Sequence, residues 1–219
     1  MPPELIIFDC DGVLIDSEGV ASALIARELT GLGWAMDAAE AMRLFMGMSI
    51  GDMVPMIEAA LKQPLPPDWR PNLAEKLVVA LGEESRLIPG ADTMLHRVNE
   101  LGIEWRVASN SSDEEMAVKF TRTGIAHLTA GRAHSAASVI ARGGRPKPAP
   151  DVFLAAAASA QAVPARCIVL EDSRLGVTGA VAAGMTCYGF APHGGAEPLL
   201  AAGAKAVFSD LHEIFGVLA

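Results

Sequence analysis

Four short apolar runs, at residues 5–8, 105–108, 167–170 and 187–190, constrain this chain more than any other feature, because each is too brief for a helix and each is followed by small or acidic residues. Runs of this length and ending read as buried strands. Helical patterns alternate with three of them, which predicts an α/β fold with the strands side by side in a parallel sheet. Residues 206–209 are a fifth candidate. Between the first two runs the pattern is helical throughout, with no convincing strand: Ala21, Ile25, Leu29 and Leu32 fall at i, i+4, i+8 and i+11, and Met53, Ile57 and Leu61 continue the habit. The expectation is a helical module at 16–87 inserted into a core made of 1–15 and 88–219, with Leu87, Ile88, Pro89 and Gly90 marking the return.

The length of 219 residues suits one large domain or one domain with an insertion. With 51% hydrophobic and 20% charged residues the chain can bury a core. Its formal net charge of −9 and the absence of a Lys/Arg cluster argue against a nucleic-acid surface. Any anionic ligand must therefore be met locally. Cys10, Cys167 and Cys187 are far apart and have no C-x-x-C spacing, which predicts reduced thiols. The N-terminal segment lacks the basic and apolar regions of a secretory signal, so the expected location is cytoplasmic. Residues 175–196 carry no charge, but their glycines and Pro192 divide the stretch into a short helix, a strand and a turn, so no membrane span is expected.

The strand ends carry the chemistry. The first runs into Asp9-Cys10-Asp11-Gly12, where residues i and i+2 share a side, so that two carboxylates can address one reacting group beyond the sheet's carboxyl edge. One can attack while the other handles protons; equally, the pair can be exposed acids at a turn made by Gly12. The second strand ends in Ser109-Asn110 ahead of a capping box with Ser112 as N-cap and Glu115 at N3, a place that favours a phosphate and that also serves plain helix capping. Lys147 lies among Pro146, Pro148 and Pro150, which stiffen its backbone. The strand at 167–170 ends in Glu171-Asp172, and two acids beside the Asp9/Asp11 pair make a hard oxygen cluster suited to Mg²⁺, although acids also favour a helix N-terminus.

Together these four sites resemble the haloacid dehalogenase superfamily of phosphotransferases, in order and spacing and over essentially the whole chain. Asp9-x-Asp11-Gly12-x-x-x-Asp16-Ser17 is similar to its first motif, Ser109 to the second, Lys147 to the third and Glu171-Asp172 to the fourth. The resemblance implies a Rossmann-like three-layer core with the helical insertion as a mobile cap. It implies Asp9 as nucleophile, Asp11 as general acid/base, and Ser109 with the Asn110 amide holding phosphoryl oxygens. Lys147 would neutralise nucleophile and phosphate, while Asp9, the Asp11 carbonyl and Asp172 would bind Mg²⁺, with Glu171 a ligand or its neighbour. The substrate implied is a small phosphorylated metabolite, of the sugar phosphate or phosphoglycolate class, and the enzyme implied is a phosphatase working through an aspartyl-phosphate.

Within the family an Asp at position 11 disfavours carbon–halogen and carbon–phosphorus cleavage. The closest rival is a sugar phosphomutase of the β-phosphoglucomutase type, which has a histidine where this chain has Ala21 and a cap-loop arginine where it has Ile50. Gly47-Met48-Ser49-Ile50-Gly51 matches the G-x-S-x-G elbow of serine hydrolases, but it follows a helical pattern instead of a strand. Ser49 is expected to cap a helix with Asp52 three residues on, its loop facing the substrate from the cap. The histidines show no ligand spacing, and a non-catalytic binding protein on this fold would be expected to lose Asp9, Asp11 or Asp172. Trp34 and Trp69 are expected to pack in the cap or line its cavity.

Overall fold

A computed structural model describes residues 3–218. Along the chain the elements are β1 (Leu5–Phe8), β2 (Ile15–Asp16), α1 (Glu18–Gly31), α2 (Ala38–Phe45), α3 (Ile50–Leu61), α4 (Trp69–Glu84), β3 (Arg86–Leu87), α5 (Ala91–Glu100), β4 (Trp105–Ser109), α6 (Asp113–Thr123), α7 (Ala126–Thr129), β5 (Ala133–Ser135), α8 (Ala136–Ile140), α9 (Asp151–Ser159), β6 (Cys167–Glu171), α10 (Arg174–Ala182), β7 (Thr186–Phe190), α11 (Ala196–Ala201) and β8 (Val207–Phe208). Six strands form one sheet in the order β5-β4-β1-β6-β7-β8, every neighbouring pair parallel. The chain moves outward from β1 through β4 to β5, then returns to build β6, β7 and β8 on the other side. Where that order reverses, the ends of β1, β4 and β6 converge, and such a crevice is where open α/β sheets bind ligands.

Side chains of β1 alternate between two cores. Ile6 and Phe8 join α5 and α6 on one face, while Leu5 and Ile7 join α9 and α10 on the other. This burial on both faces explains why β1 reads as an unbroken apolar run, as does β6 up to Glu171, while β4 is interrupted by the half-buried Arg106. A third core, separate from these, is made by Leu24, Leu29, Phe45, Ile57, Leu73 and Leu81 of α1 to α4. Its seam is the spacing of Ala21, Ile25 and Leu29 seen in the sequence, and Trp34 meets Phe45 edge to face at 6.1 Å within it.

The insertion is not free of strands. β2 and β3 pair antiparallel through Ile15 with Leu87 and Asp16 with Arg86, so two short extended segments carry the chain into and out of the helical module. A two-residue ladder has no periodicity to read. β5 was likewise not expected, because Ala-His-Ser on a sheet edge carries no apolar run. The uncharged stretch at 175–196 does split into α10, β7 and a turn, and no single helix among the described residues is long and apolar enough to cross a membrane.

Candidate active site

Local backbone chemistry explains how the site is presented. β1 stops at Phe8, and the chain is held beside β6 by the Asp9 amide donating to the Leu170 carbonyl at 3.0 Å. The turn that follows needs Gly12: its φ is +76°, and a Cβ there would lie 1.9 Å from an Asp172 carboxylate oxygen. Ser112 and Glu115 form the expected capping box on α6, Ser173 caps α10 through the Gly176 amide, and Ser49 caps α3. These caps fix where the loops after β4 and β6 turn away, leaving the strand-end acids facing one cavity.

That inner cavity, of about 140 Å³, is bordered from the core by Asp9, Asp11, Ser109, Asn110, Lys147 and Asp172. Residues from four distant chain positions thus meet. Lys147 is buried at 3% exposure and donates from Nζ to Asp9 Oδ1 at 2.6 Å and to Glu171 Oε1; its ammonium also lies 4.9 Å from the centre of the Phe153 ring. Asn110 anchors that lysine's backbone, accepting from its amide at 2.8 Å, and its own Nδ2 donates to the Gly47 carbonyl at 2.8 Å. The Asn110 side chain therefore bridges the core to the cap loop instead of pointing free into the cavity. Ser109 Oγ accepts from the Ser111 amide at 3.0 Å and donates to Asp11 Oδ2 at 3.3 Å. Ser49 borders the cavity, and its hydroxyl donates to Asp52 at 2.6 Å. Neither Trp34 nor Trp69 borders it; both pack in the cap core.

The acids are treated unequally. Burial pushes the Asp9 carboxyl up to about 8 against the pull of Lys147, with Glu171 and Asp11 adding repulsion. Asp172 is raised well above the usual carboxylate range by burial and by Glu171 and Asp9. Asp11, by contrast, is held below it: burial acts upward, but the Lys119 ammonium and hydroxyl donors overcome it. Carboxylate oxygens of Asp9, Glu171 and Asp172 lie within 4.8 Å of one another. Negative charge that Lys147 alone does not balance, on hard oxygen donors at this spacing, fits a divalent cation such as Mg²⁺. Glu171 is fully buried, with Oε1 taken by Lys147 and Oε2 by the Ser173 amide and hydroxyl, so in this arrangement it serves as the lysine's counter-ion.

Two acid–base partners escaped the sequence reading. Lys119 pairs with Asp11 from within the core, and its signal was a lysine on the buried stripe of α6 between Met116 and Phe120. Glu18, at the start of α1, borders both the inner cavity and an outer cleft of about 1600 Å³, and burial with repulsion from Asp11 and Asp16 raises its carboxyl to about 7.

Residues 3–184 match the family described as haloacid dehalogenase-like hydrolase. A haloacid dehalogenase-like protein of unknown function from Agrobacterium tumefaciens shares 33% identity, with 98% of this chain and 96% of that one covered and a TM-score of 0.81. A family hydrolase from Deinococcus radiodurans, solved with phosphate and sodium bound, shares 29% identity over 100% of this chain and 96% of that one, with a TM-score of 0.78. Among curated relatives, the Arabidopsis thaliana bifunctional riboflavin kinase/FMN phosphatase is 27% identical over 82% of this chain, and Escherichia coli hexitol phosphatase A is 36% identical over 44% of it. The chain spans 46% and 42% of those two proteins. A family match over residues 3–184, most of the chain, leaves one conclusion: the chain belongs to the haloacid dehalogenase-like hydrolases.

Proposed function

We propose that this protein is a Mg²⁺-dependent phosphomonoesterase acting on a small phosphorylated metabolite. The observation that carries the reading is the Lys147–Asp9 contact of 2.6 Å beside the clustered carboxylates of Asp9, Glu171 and Asp172. In this reading Asp9 attacks phosphorus, and the leaving oxygen takes a proton from Asp11; Asp11 then takes a proton from the water that releases phosphate from Asp9. Ser109 and the Asn110 amide hold phosphoryl oxygens, and Gly12 keeps the turn close to them. Asp9, Asp172 and the Asp11 carbonyl would hold Mg²⁺, which when bound would supply positive charge against the phosphoryl group. The cap excludes water while the intermediate forms.

The cap side of the inner cavity favours hydrolysis over the mutase alternative. Ala21 and Ile50 both border it, and no lysine or arginine of the cap does so. Within the inner cavity a second phosphate would find no cap cation, whereas Arg43 of the cap borders the outer cleft beside Lys147 and Asp172, so a substrate body reaching that cleft can be a neutral sugar or carry a carboxylate. Ser49 contributes the loop that faces it. Relatives act by name on FMN, hexitol phosphate and 6-phosphogluconate, and substrate identity varies with the cap on a shared core. The three buried thiols accord with a reducing cytoplasm.

Purified protein is expected to release phosphate from p-nitrophenyl phosphate with Mg²⁺ and not with EDTA, and then from members of a metabolite panel. Incubation with β-glucose 1-phosphate and catalytic glucose 1,6-bisphosphate should yield no glucose 6-phosphate. Formation of that isomer without free phosphate would establish the mutase instead.

The metal also has a signature in stability. Asp9 titrates near 8 in the fold against 3.8 ordinarily, so between those values the folded state holds more protons than the unfolded one. Stability of the metal-free protein must then fall as pH rises through that window. Glu18, raised from 4.5 to about 7, acts in the same direction. Mg²⁺ at 100 times its dissociation constant should restore about 2.7 kcal/mol. At roughly 2–4 °C per kcal/mol for a chain of this size, melting should rise by roughly 5–10 °C, more at pH 8 than at pH 5. A Tm insensitive to Mg²⁺ at pH 8 would remove the metal from this site.

A further inference from the structure

Helix α6 places a charge where its own periodicity calls for an apolar side chain. Met116, Lys119 and Phe120 form its buried stripe, and Lys119 is 0% exposed. A lysine in such a place is strongly unfavourable unless its ammonium is matched. Here all three hydrogens are used: Nζ donates to Asp11 Oδ1 at 2.6 Å, to Asp11 Oδ2 at 2.8 Å and to Ser111 Oγ at 2.8 Å. Ser111 in turn donates to Asp11 Oδ2 at 2.9 Å, and Ser17 donates to Oδ1. The Ser109 contact with Oδ2, at 3.3 Å, is the longest of the set. It is the one a reacting oxygen can displace while the others hold.

The division of labour between the two buried lysines is sharp. Lys147 serves Asp9 and Glu171, whereas Lys119 serves Asp11 alone. An ammonium gripping both oxygens fixes the side-chain torsions of Asp11, which a single hydrogen bond would leave free to rotate.

We infer that Lys119 is a positioning residue, holding the Asp11 carboxyl in the orientation from which it exchanges protons with the reacting oxygens. The inference rests on the phosphatase reading above. During hydrolysis of the intermediate, water oxygen bonds to phosphorus, the bond from phosphorus to Asp9 breaks, and the water's proton passes to Asp11. In the next cycle that proton passes to the leaving alcohol. Lys119 keeps its three protons throughout and touches no reacting atom.

The test is Lys119→Met, which keeps the stem and removes the ammonium, assayed with p-nitrophenyl phosphate, whose leaving group departs without a proton. Attack by Asp9 should stay fast while hydrolysis slows. The expected record is a burst of about one p-nitrophenolate per protein followed by steady turnover slower by about 100-fold, the scale of a misplaced catalytic group. KM should fall or stay level instead of rising. On an alkyl phosphate, which needs the proton in the first step, no burst should appear. Ser111→Ala, which removes one contact to each partner, should give a smaller burst in the same direction and serves if the first variant does not fold. An active wild type whose folded variants show no burst, or unchanged kcat, overturns the role of Lys119 alone. A wild type that releases no phosphate overturns the phosphatase reading and this inference with it.

Discussion

Asp9→Asn is expected to reduce phosphate release by about 10⁴-fold or more, the scale seen when a covalent nucleophile is lost. An amide keeps the shape of the side chain and can still meet the Lys147 ammonium through its oxygen. It cannot attack phosphorus. The variant should nevertheless be at least as stable as the wild type when metal is absent, because burial holds the native carboxyl up at about 8. Above that pH the wild type carries a charge its surroundings disfavour, and Asn does not. Phosphate release measured beside a melting curve therefore separates chemistry from folding. Turnover retained within tenfold, in a protein that melts normally, would remove Asp9 from the nucleophile's place and direct attention to Asp11.

What could be read from the sequence followed burial. β1, β4, β6 and β7 lie inside the sheet, where both faces favour apolar side chains; the first three announce themselves as runs that end abruptly at a polar residue, and β7 as one that ends at Ala191 and Pro192. β5, β2 and β3 have two or three residues each and lie at an edge or in the antiparallel pair at the insertion's base, so nothing forces their composition. The candidate site divides in the same way. Asp9, Asp11, Ser109, Glu171 and Asp172 stand at or beside strand ends, where a fold-level rule gives them meaning, and Lys147 stands in a proline-rich loop. Lys119 stands mid-helix and acquires meaning only from what its buried face meets. A charged residue on an apolar stripe was the available signal, but one sequence does not say which carboxylate answers it. Asn110 shows the same limit: its position after β4 was legible, while its side-chain bridge to Gly47 depends on where the cap loop comes to rest.

Lys147→Met should be the most damaging change to the fold among the site residues. Methionine retains a stem to lie beside Phe153 but leaves Asp9 Oδ1 and Glu171 Oε1 without their cation. Breaking a buried pair by removing one partner costs about 3–5 kcal/mol, equivalent to a Tm lower by roughly 6–20 °C for a chain of this size. The deficit should be pH-dependent. With the lysine gone, the downward pull on Asp9 is lost, the folded state binds protons still more readily, and stability should recover as pH falls. Mg²⁺ should restore part of the Tm, since it offers the same carboxylates positive charge. It should not restore turnover, which is expected to drop by about 10²–10³-fold, as when a preorganised group facing developing charge is removed. Lys147→Arg should not rescue activity, because a planar guanidinium cannot occupy the point between Asp9 and Glu171 that a compact ammonium fills. A methionine variant that melts with the wild type at pH 8 would mean that Glu171 and Asp9 share a proton in place of a cation, and the charge balance assigned to this cluster would have to be redrawn around that proton.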